Sequence, residues 1–135
     1  MTFIRLPILF LALLVQGCAE RFLVAEKVFI VMKKDKSVIV DFKGREIAQI
    51  TDFWVHGKYL YGYRYREREY VMFLIDLYAN RFIEGMEAHK IVRKEGLPLN
   101  RWMNGIELFG DYISDIERRS LFIKAVRESR SDAQN

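Results

Sequence analysis

A chain of 135 residues, with 51% hydrophobic and 14% aromatic side chains, is long enough for one compact domain with a real core. Its formal net charge of +4 is a modest surplus, so the sequence lacks the strongly basic character of nucleic-acid binders, and we expect no nucleic-acid partner. Because Cys18 is the single cysteine, no internal disulfide can form, and packing alone must hold the domain together.

The first 17 residues have the organisation of a secretion signal. One positive side chain, Arg5, precedes an apolar run over residues 6–15, and Gly17 and Ala19 supply small residues on either side of Cys18. The run is too short for a membrane-spanning helix, which needs about 20 apolar residues. We therefore expect residues 1–17 to be a cleaved signal peptide.

The stretch Val15-Gln16-Gly17-Cys18 resembles the lipobox of bacterial lipoproteins, with Gln16 standing where a small residue is usual. The resemblance implies that the Cys18 thiol is diacylated, that cleavage precedes this cysteine, and that acyl chains such as palmitate form a membrane anchor. Since Ala19 and not aspartate follows the cysteine, it also implies an outer-membrane lipoprotein facing the periplasm. Two alternatives stay open: ordinary signal cleavage after Ala19, and a cytosolic protein with Cys18 in its core.

The mature chain begins with a series of predicted antiparallel strands. Short turns must join antiparallel neighbours, so we expect a meander of about five or six strands. The runs rich in β-branched and aromatic residues cover 27–32, 37–42, 46–56, 58–65, 69–76 and 82–83.

Helices are predicted after Gly85. Residues 86–95 favour a first helix that ends at Gly96, a short second helix falls within 100–109, and Ser114 and Glu117 have the spacing of a capping box for the last helix. The fold class is therefore α+β, with the antiparallel meander packed against C-terminal helices. The predicted organisation is a signal peptide (1–17), a lipidated N-terminus with a short tether (18–25), a single domain (26–130) and a flexible tail (131–135).

Four tyrosines at a period of two lie on one face of one predicted strand, and we call them the tyrosine face: Tyr59, Tyr61, Tyr63 and Tyr65. The rings could stack sugars or grip an extended peptide, since each offers an apolar plane and a hydroxyl. The alternative, which we favour, is that they pack beneath a helix or form cross-strand pairs with Phe73 and its neighbours.

Two groups of basic residues could form either a binding surface or an ordinary solvated surface. The last helix has an apolar stripe of Leu121, Phe122, Ala125 and Val126. Its predicted basic face could contact anionic lipid or an acidic protein, but a solvated helix face explains it as well. The same applies to Arg64, Arg66 and Arg68, which alternate with the tyrosines. The basic face consists of Arg118, Arg119, Lys124 and Arg127, continued by Arg130.

We find no catalytic signature, and we expect neither a metal nor a cofactor. His56 and His89 stand apart, without a second histidine or cysteine at ligand spacing. The sequence contains no G-x-S-x-G elbow, phosphate-binding loop or H-E-x-x-H motif.

Two classes of function remain. The first is a non-enzymatic binding or interaction module of the accessory, immunity or exclusion type, attached to the membrane through lipidated Cys18 and binding an envelope or toxin protein. The second is a small periplasmic glycan-binding or hydrolytic protein that uses the tyrosine face. The sequence predicts that the two differ in whether the tyrosines are buried or line an open cleft with a carboxylate nearby.

Overall fold

The computed structural model describes residues 19–110 and 116–134. The lipobox-like stretch and the capping box at Ser114 include residues outside these ranges, so both stay predictions. Eight strands are described: β1 (Glu20–Ala25), β2 (Val28–Met32), β3 (Val38–Phe42), β4 (Arg45–Ile47), β5 (Ile50–His56), β6 (Tyr59–Arg66), β7 (Glu69–Asp76) and β8 (Arg81–Glu84). Three helices follow in the same ranges: α1 (Met86–Glu95), α2 (Gly105–Phe109) and α3 (Ile116–Gln134).

The described strands form two antiparallel sheets of four strands each, which we call the N-terminal sheet (β1–β4) and the C-terminal sheet (β5–β8). In each sheet the strands pair in chain order, as short turns require. The predicted α+β class, with antiparallel strands packed against C-terminal helices, is confirmed. The sequence predicts one long strand over residues 46–56, and this prediction is wrong: the segment is divided into β4 and β5, which belong to different sheets.

The division occurs at Ala48 and Gln49, between β4 and β5. Gln49 adopts a left-handed backbone conformation, with φ at 57°, which ends the extended path of β4. The carbonyl of Ala48 then accepts a hydrogen bond from Arg64 Nε at 3.1 Å, and the carbonyl of Gln49 accepts one from the Tyr65 amide at 2.9 Å. The connection between the two sheets is therefore held by hydrogen bonds from β6, the strand beside β5.

Two predicted boundaries were wrong. β1 lies within the range assigned to a short tether, because Glu20–Ala25 pairs with β2 and buries Val24 completely. At the other terminus α3 continues to Gln134, through most of the range assigned to a flexible tail. The folded domain is thus longer at both ends than the sequence indicated.

The two sheets pack face to face around one core. On the N-terminal sheet, Ile30 and Val40 are cross-strand partners and are fully buried; on the C-terminal sheet, Phe73 is fully buried as well. The Arg45 guanidinium, at the start of β4, lies 4.9 Å from the centroid of the Phe82 ring of β8, which shows that this face of the C-terminal sheet meets the N-terminal sheet.

Helix α3 closes one side of the sandwich, between the edge strands β1 and β5. Its Phe122 ring is fully buried and lies 5.6 Å from Phe22 of β1 and 5.4 Å from both Phe53 and Trp54 of β5, measured between ring centroids. Rings at these distances and tilted angles pack favourably. The predicted apolar stripe is therefore right for Phe122, but wrong for Leu121, which is 42% exposed.

Helix α1 covers the C-terminal sheet, whereas α2 packs against β2 of the N-terminal sheet and against α3. α1 buries Ala88 and Val92 and contacts β7 and β8. It ends as predicted at Gly96, whose left-handed backbone (φ 63°) lets its amide bond back into the helix. α2 is held at its start by Asn104, whose side-chain oxygen accepts a hydrogen bond from the Glu107 amide at 2.8 Å.

Candidate binding surface

The first half of the tyrosine face is packed inside the domain. Tyr59 is 8% exposed and Tyr61 is fully buried. The Tyr61 hydroxyl donates a hydrogen bond to the Pro98 carbonyl at 2.5 Å, in the loop that follows α1. Burial raises the pKa of Tyr61 well above its usual value, because the charged phenolate would lose its water. These two rings therefore belong to the core, as the packing interpretation expected.

The second half of the tyrosine face becomes progressively exposed. Tyr63 is half-buried, and its ring centroid lies 5.3 Å from that of Trp102. Tyr65 is 39% exposed and packs edge to face, at 5.2 Å, against Tyr70, its cross-strand partner on β7. Tyr70 itself is 69% exposed. The end of the β6–β7 hairpin thus presents two neighbouring tyrosine rings to solvent.

The cross-strand neighbours of the tyrosine face differ in part from the expected ones. Tyr61 lies opposite Leu74 and Tyr63 lies opposite Met72, which flank Phe73 in β7. Phe73 itself lies opposite Gly62 and points to the other side of the sheet. The predicted packing with neighbours of Phe73 is therefore present, whereas Phe73 is not a partner of these rings.

A cleft of about 540 Å³ opens beside this face, and we call it the tryptophan cleft. Its walls come from β5, from the loop before α2 and from the first turns of α3, so three separate parts of the chain build it. Trp102 links the cleft to the tyrosine face, because its ring also packs against Tyr61 at 5.8 Å. The lining side chains are Trp54, Asn100, Arg101, Trp102, Glu117, Arg118 and Leu121.

Local bonds hold the walls of the tryptophan cleft in place. The Trp102 indole Nε1 donates a hydrogen bond to the Leu99 carbonyl at 2.9 Å. Met103 pairs with Phe53 through two backbone hydrogen bonds of 2.9 Å, which fixes the loop along the edge of β5. A loop tied to a sheet edge keeps its side chains in defined positions, so the cleft is largely preformed.

The predicted basic face of α3 is divided between the cleft rim, the domain and solvent. The Arg118 guanidinium bonds both carboxylate oxygens of Glu107, at 2.6 and 2.7 Å, while the Arg119 guanidinium bonds the carbonyls of Glu107 and Gly110. Arg119 is therefore half-buried against α2 and was wrongly placed on a solvated face. Arg127 and Lys124 are exposed, and Lys124 lies 4.0 Å from Glu128.

Arg130, which continues the basic face, bonds the first strand of the domain. Its guanidinium donates to the carbonyls of Leu23 and Val24, where β1 has a bulge. Two successive carbonyls point to the same side at a bulge, and one guanidinium satisfies both. A second groove, of about 710 Å³, lies beside this contact and includes Leu23, Leu77 and Tyr78 in its lining.

The remaining candidates are solvated or paired. Glu84 accepts hydrogen bonds from Arg66 at 2.9 Å and from Arg64 at 3.5 Å, and His56 and His89 are both exposed. Among the residues that the structure describes, no group of three or more metal-ligating side chains is arranged to hold an ion. None of the helices in the described ranges has both the length and the apolar character needed to cross a membrane.

Comparison with protein-family models, with curated proteins and with solved structures finds no match for this chain. The sequence does not predict the tryptophan cleft, because its walls are far apart in the chain. The available signal was the pair of tryptophans, Trp54 and Trp102, which are the two in the sequence.

Proposed function

We propose that this protein is a small bacterial lipoprotein, held by lipid on Cys18 at the outer membrane and facing the periplasm. In this proposal it acts as a non-enzymatic binding module of the accessory, immunity or exclusion type. The observation that supports a binding role is the tryptophan cleft, about 540 Å³ in volume, in which Trp102 and Leu121 offer apolar surface and charges of both signs stand at the rim. The lipobox-like stretch that ends at Cys18 supports the envelope location.

The composition of the cleft suits a protein partner. Tryptophan and arginine are enriched among the residues that dominate binding energy at protein interfaces, usually with an apolar centre inside a polar rim. Here the half-buried Trp102 and the exposed Leu121 supply the apolar surface that a partner can reach, while Trp54 lines the cleft at only 2% exposure, and Arg101 and Glu117 supply the rim. An aromatic or branched apolar side chain of the partner would bury its surface against Trp102 and Leu121.

A glycan partner at the tyrosine face has weaker support. A sugar stacks on an exposed ring plane, yet Tyr59 is 8% exposed and Tyr61 is fully buried. Of the four rings, Tyr65 alone is exposed and Tyr63 is half-covered by Trp102. We therefore place the binding activity in the tryptophan cleft.

The envelope part of the proposal is tested by the intact mass of the mature protein, isolated from a membrane fraction of a bacterial host. We expect a chain that begins at Cys18 and carries the added mass of lipid. The Cys18→Ser variant should lack that mass and leave the membrane fraction. A mature chain that begins at Met1 or at Glu20, without lipid, would contradict the lipoprotein proposal.

The binding part is tested with a photo-crosslinking amino acid placed at position 121 or, as a control, at position 116. Leu121 and Ile116 are both exposed apolar residues on the first turns of α3, at 42% and 51%, but Leu121 lines the cleft and Ile116 does not. We expect a discrete protein adduct from position 121, and its loss when Arg101→Glu reverses the charge at the rim. Identical adducts from both positions, or none from either, would count against a protein-binding cleft.

A further inference from the structure

The turns of the two sheets fall at two common ends of the sandwich. Glu26, in the β1–β2 turn, lines the same groove as Leu77 and Tyr78, which follow β7. Arg45, the first residue of β4 after the β3–β4 turn, lies over Phe82 at the start of β8. We call this the far end of the domain, and it comprises the turns at residues 26–27, 43–44, 57–58 and 77–80.

The opposite end carries the β2–β3 turn (33–37) and the β6–β7 turn (67–68), and we call it the anchor end. β4 runs toward it from Arg45 at the far end, and Gln49, just after β4, bonds the amide of Tyr65 at 2.9 Å. β7 then runs from Glu69 at this end to Asp76 at the far end. Eight residues of strand separate the two ends by roughly 26 Å.

The first residue of β1 lies at the anchor end. Glu20 is the cross-strand partner of Met32, the last residue of β2, directly before the β2–β3 turn. Ala19 is the single residue between Glu20 and Cys18. A fully extended chain spans at most about 3.6 Å per residue, so Cys18 is within about 7 Å of the start of β1.

A tether this short fixes the orientation of the domain. Lipid on Cys18 would hold this cysteine at the membrane surface, which leaves no length for the sandwich to turn over. The exposed rings of Tyr65 and Tyr70 at the anchor end have the character that the membrane–water interface favours, an apolar ring with a polar hydroxyl. We propose that the anchor end of this domain rests directly on the phospholipid headgroups, with the β2–β3 turn and this tyrosine pair in contact with them.

The proposal rests on the lipidation of Cys18 and does not depend on a net charge. Lys34 and Lys36 are exposed in the β2–β3 turn, and Arg68 is exposed in the β6–β7 turn. They are offset by acidic residues at the same end, namely Glu20, Asp35, Glu67 and Glu69. We therefore expect the same orientation on neutral and on anionic phospholipid.

The orientation is tested with single-cysteine probes, because the lipidated Cys18 offers no free thiol to a label. Lys34→Cys and Tyr70→Cys place a fluorophore at the anchor end; Lys43→Cys and Tyr78→Cys, which replace an exposed lysine and an exposed tyrosine, place it at the far end. Each full chain is purified in its lipidated form and reconstituted into phosphatidylcholine vesicles. Some vesicles contain a nitroxide quencher on the lipid headgroup.

We expect headgroup quenching to be at least several-fold stronger at positions 34 and 70 than at positions 43 and 78. Replacing part of the phosphatidylcholine by phosphatidylglycerol should leave the ratio unchanged. Equal quenching at both ends, or stronger quenching at the far end, in a protein whose mass includes the lipid would overturn the orientation and leave the lipoprotein proposal intact. A protein without lipid mass would overturn both.

Discussion

The N-terminal sheet covers its outer face with its own charged side chains, whereas the C-terminal sheet is covered on both faces by other parts of the chain. On the N-terminal sheet, the Arg21 guanidinium lies 4.9 Å from the Phe29 ring centroid and 3.1 Å from the Asp41 carboxylate. On the C-terminal sheet, Phe73 and Leu74 point to opposite faces and are both fully buried.

The order of the chain explains this difference. α1 and the loop before α2 follow β8 directly, and they pack on the tyrosine face of the C-terminal sheet. A strand that is buried on both faces reads as a continuous apolar run, which is how Phe73, Leu74 and Ile75 appear in β7. β2 and β3 of the N-terminal sheet also carry consecutive buried residues, since Val31 and Ile39 are partners on its outer face and are 5% and 8% exposed. The comparison teaches that an apolar run indicates a strand buried on both faces but does not tell whether its own sheet or another part of the chain covers it.

Removing the Phe122 ring, which contacts strands of both sheets, should have the largest effect on the free energy of unfolding. Phe122→Ala leaves a cavity between β1, β5 and α3, and we expect the free energy of unfolding to fall by about 3–5 kcal/mol. The control is Leu121→Ala, next to it in the same helix but 42% exposed, for which we expect a change within about 0.5 kcal/mol. Denaturant unfolding measures both. Similar losses for the two variants would mean that α3 does not close the sandwich.

A methyl group at Gly62 should disturb the C-terminal sheet alone. A Cβ atom there would lie 1.9 Å from the carbonyl oxygen of Asp52, a backbone atom that cannot move without changing the register of β5 and β6. We expect Gly62→Ala to lower the free energy of unfolding by about 1–3 kcal/mol or more, as overpacking does. An unchanged unfolding midpoint would show that the irregular pairing between Ile50 and Asp52 absorbs the clash.

The strands and the fold class were predictable because their signals are local. Hairpin turns carry glycine or clustered charge between apolar runs, as at Gly44 and Gly57, and the helix stop at Gly96 is equally local. The break at Ala48 and Gln49 was not predictable, since neither residue is a usual turn former and Gln49 takes its left-handed conformation from hydrogen bonds with β6.

Most of the candidate site could not be predicted from the sequence. The four tyrosines were correctly placed on one face, but their exposure depends on Pro98 and Trp102, which lie more than thirty positions further along the chain. Similarly, Arg119 looks like a solvated charge in a helical pattern, and its contacts with the carbonyls of Glu107 and Gly110 appear only when α2 and α3 meet.

The buried hydroxyl of Tyr61 measures how much the loop at Pro98, which covers the C-terminal sheet, contributes to the free energy of unfolding. Tyr61→Phe removes the hydrogen bond to the Pro98 carbonyl and leaves that carbonyl without this donor, so we expect a loss of about 1 kcal/mol. Tyr70→Phe, at an exposed tyrosine, is the matched control and should be neutral. Equal effects of the two changes would mean that the loop at Pro98 does not hold the tyrosine face.

The same hydroxyl predicts a response to alkaline pH. Because burial raises the pKa of Tyr61 in the folded state, its contribution to stability is fully present below about pH 10, the usual pKa of tyrosine, and decreases as the pH rises above it. The free energy of unfolding of the parent should therefore fall more steeply above pH 10 than that of Tyr61→Phe. Parallel curves for the two proteins would contradict the burial of this group.

We expect the smallest change in the free energy of unfolding for the charged side chains on the outer face of the N-terminal sheet. Arg21 and Asp41 form an ion pair of 3.1 Å whose side chains are 55% and 25% exposed, and exposed pairs contribute about 0.2–1 kcal/mol. A double-mutant cycle with Arg21→Gln and Asp41→Asn isolates this coupling, and raised salt concentration should reduce it, because water and ions screen exposed charges. A coupling as large as the Phe122→Ala loss would mean that the outer face of this sheet is held as firmly as the core. The expected weak coupling would instead show that apolar burial, and not this ion pair, supplies the stability of the sheet, since Val31 and Ile39 are buried on the outer face as well.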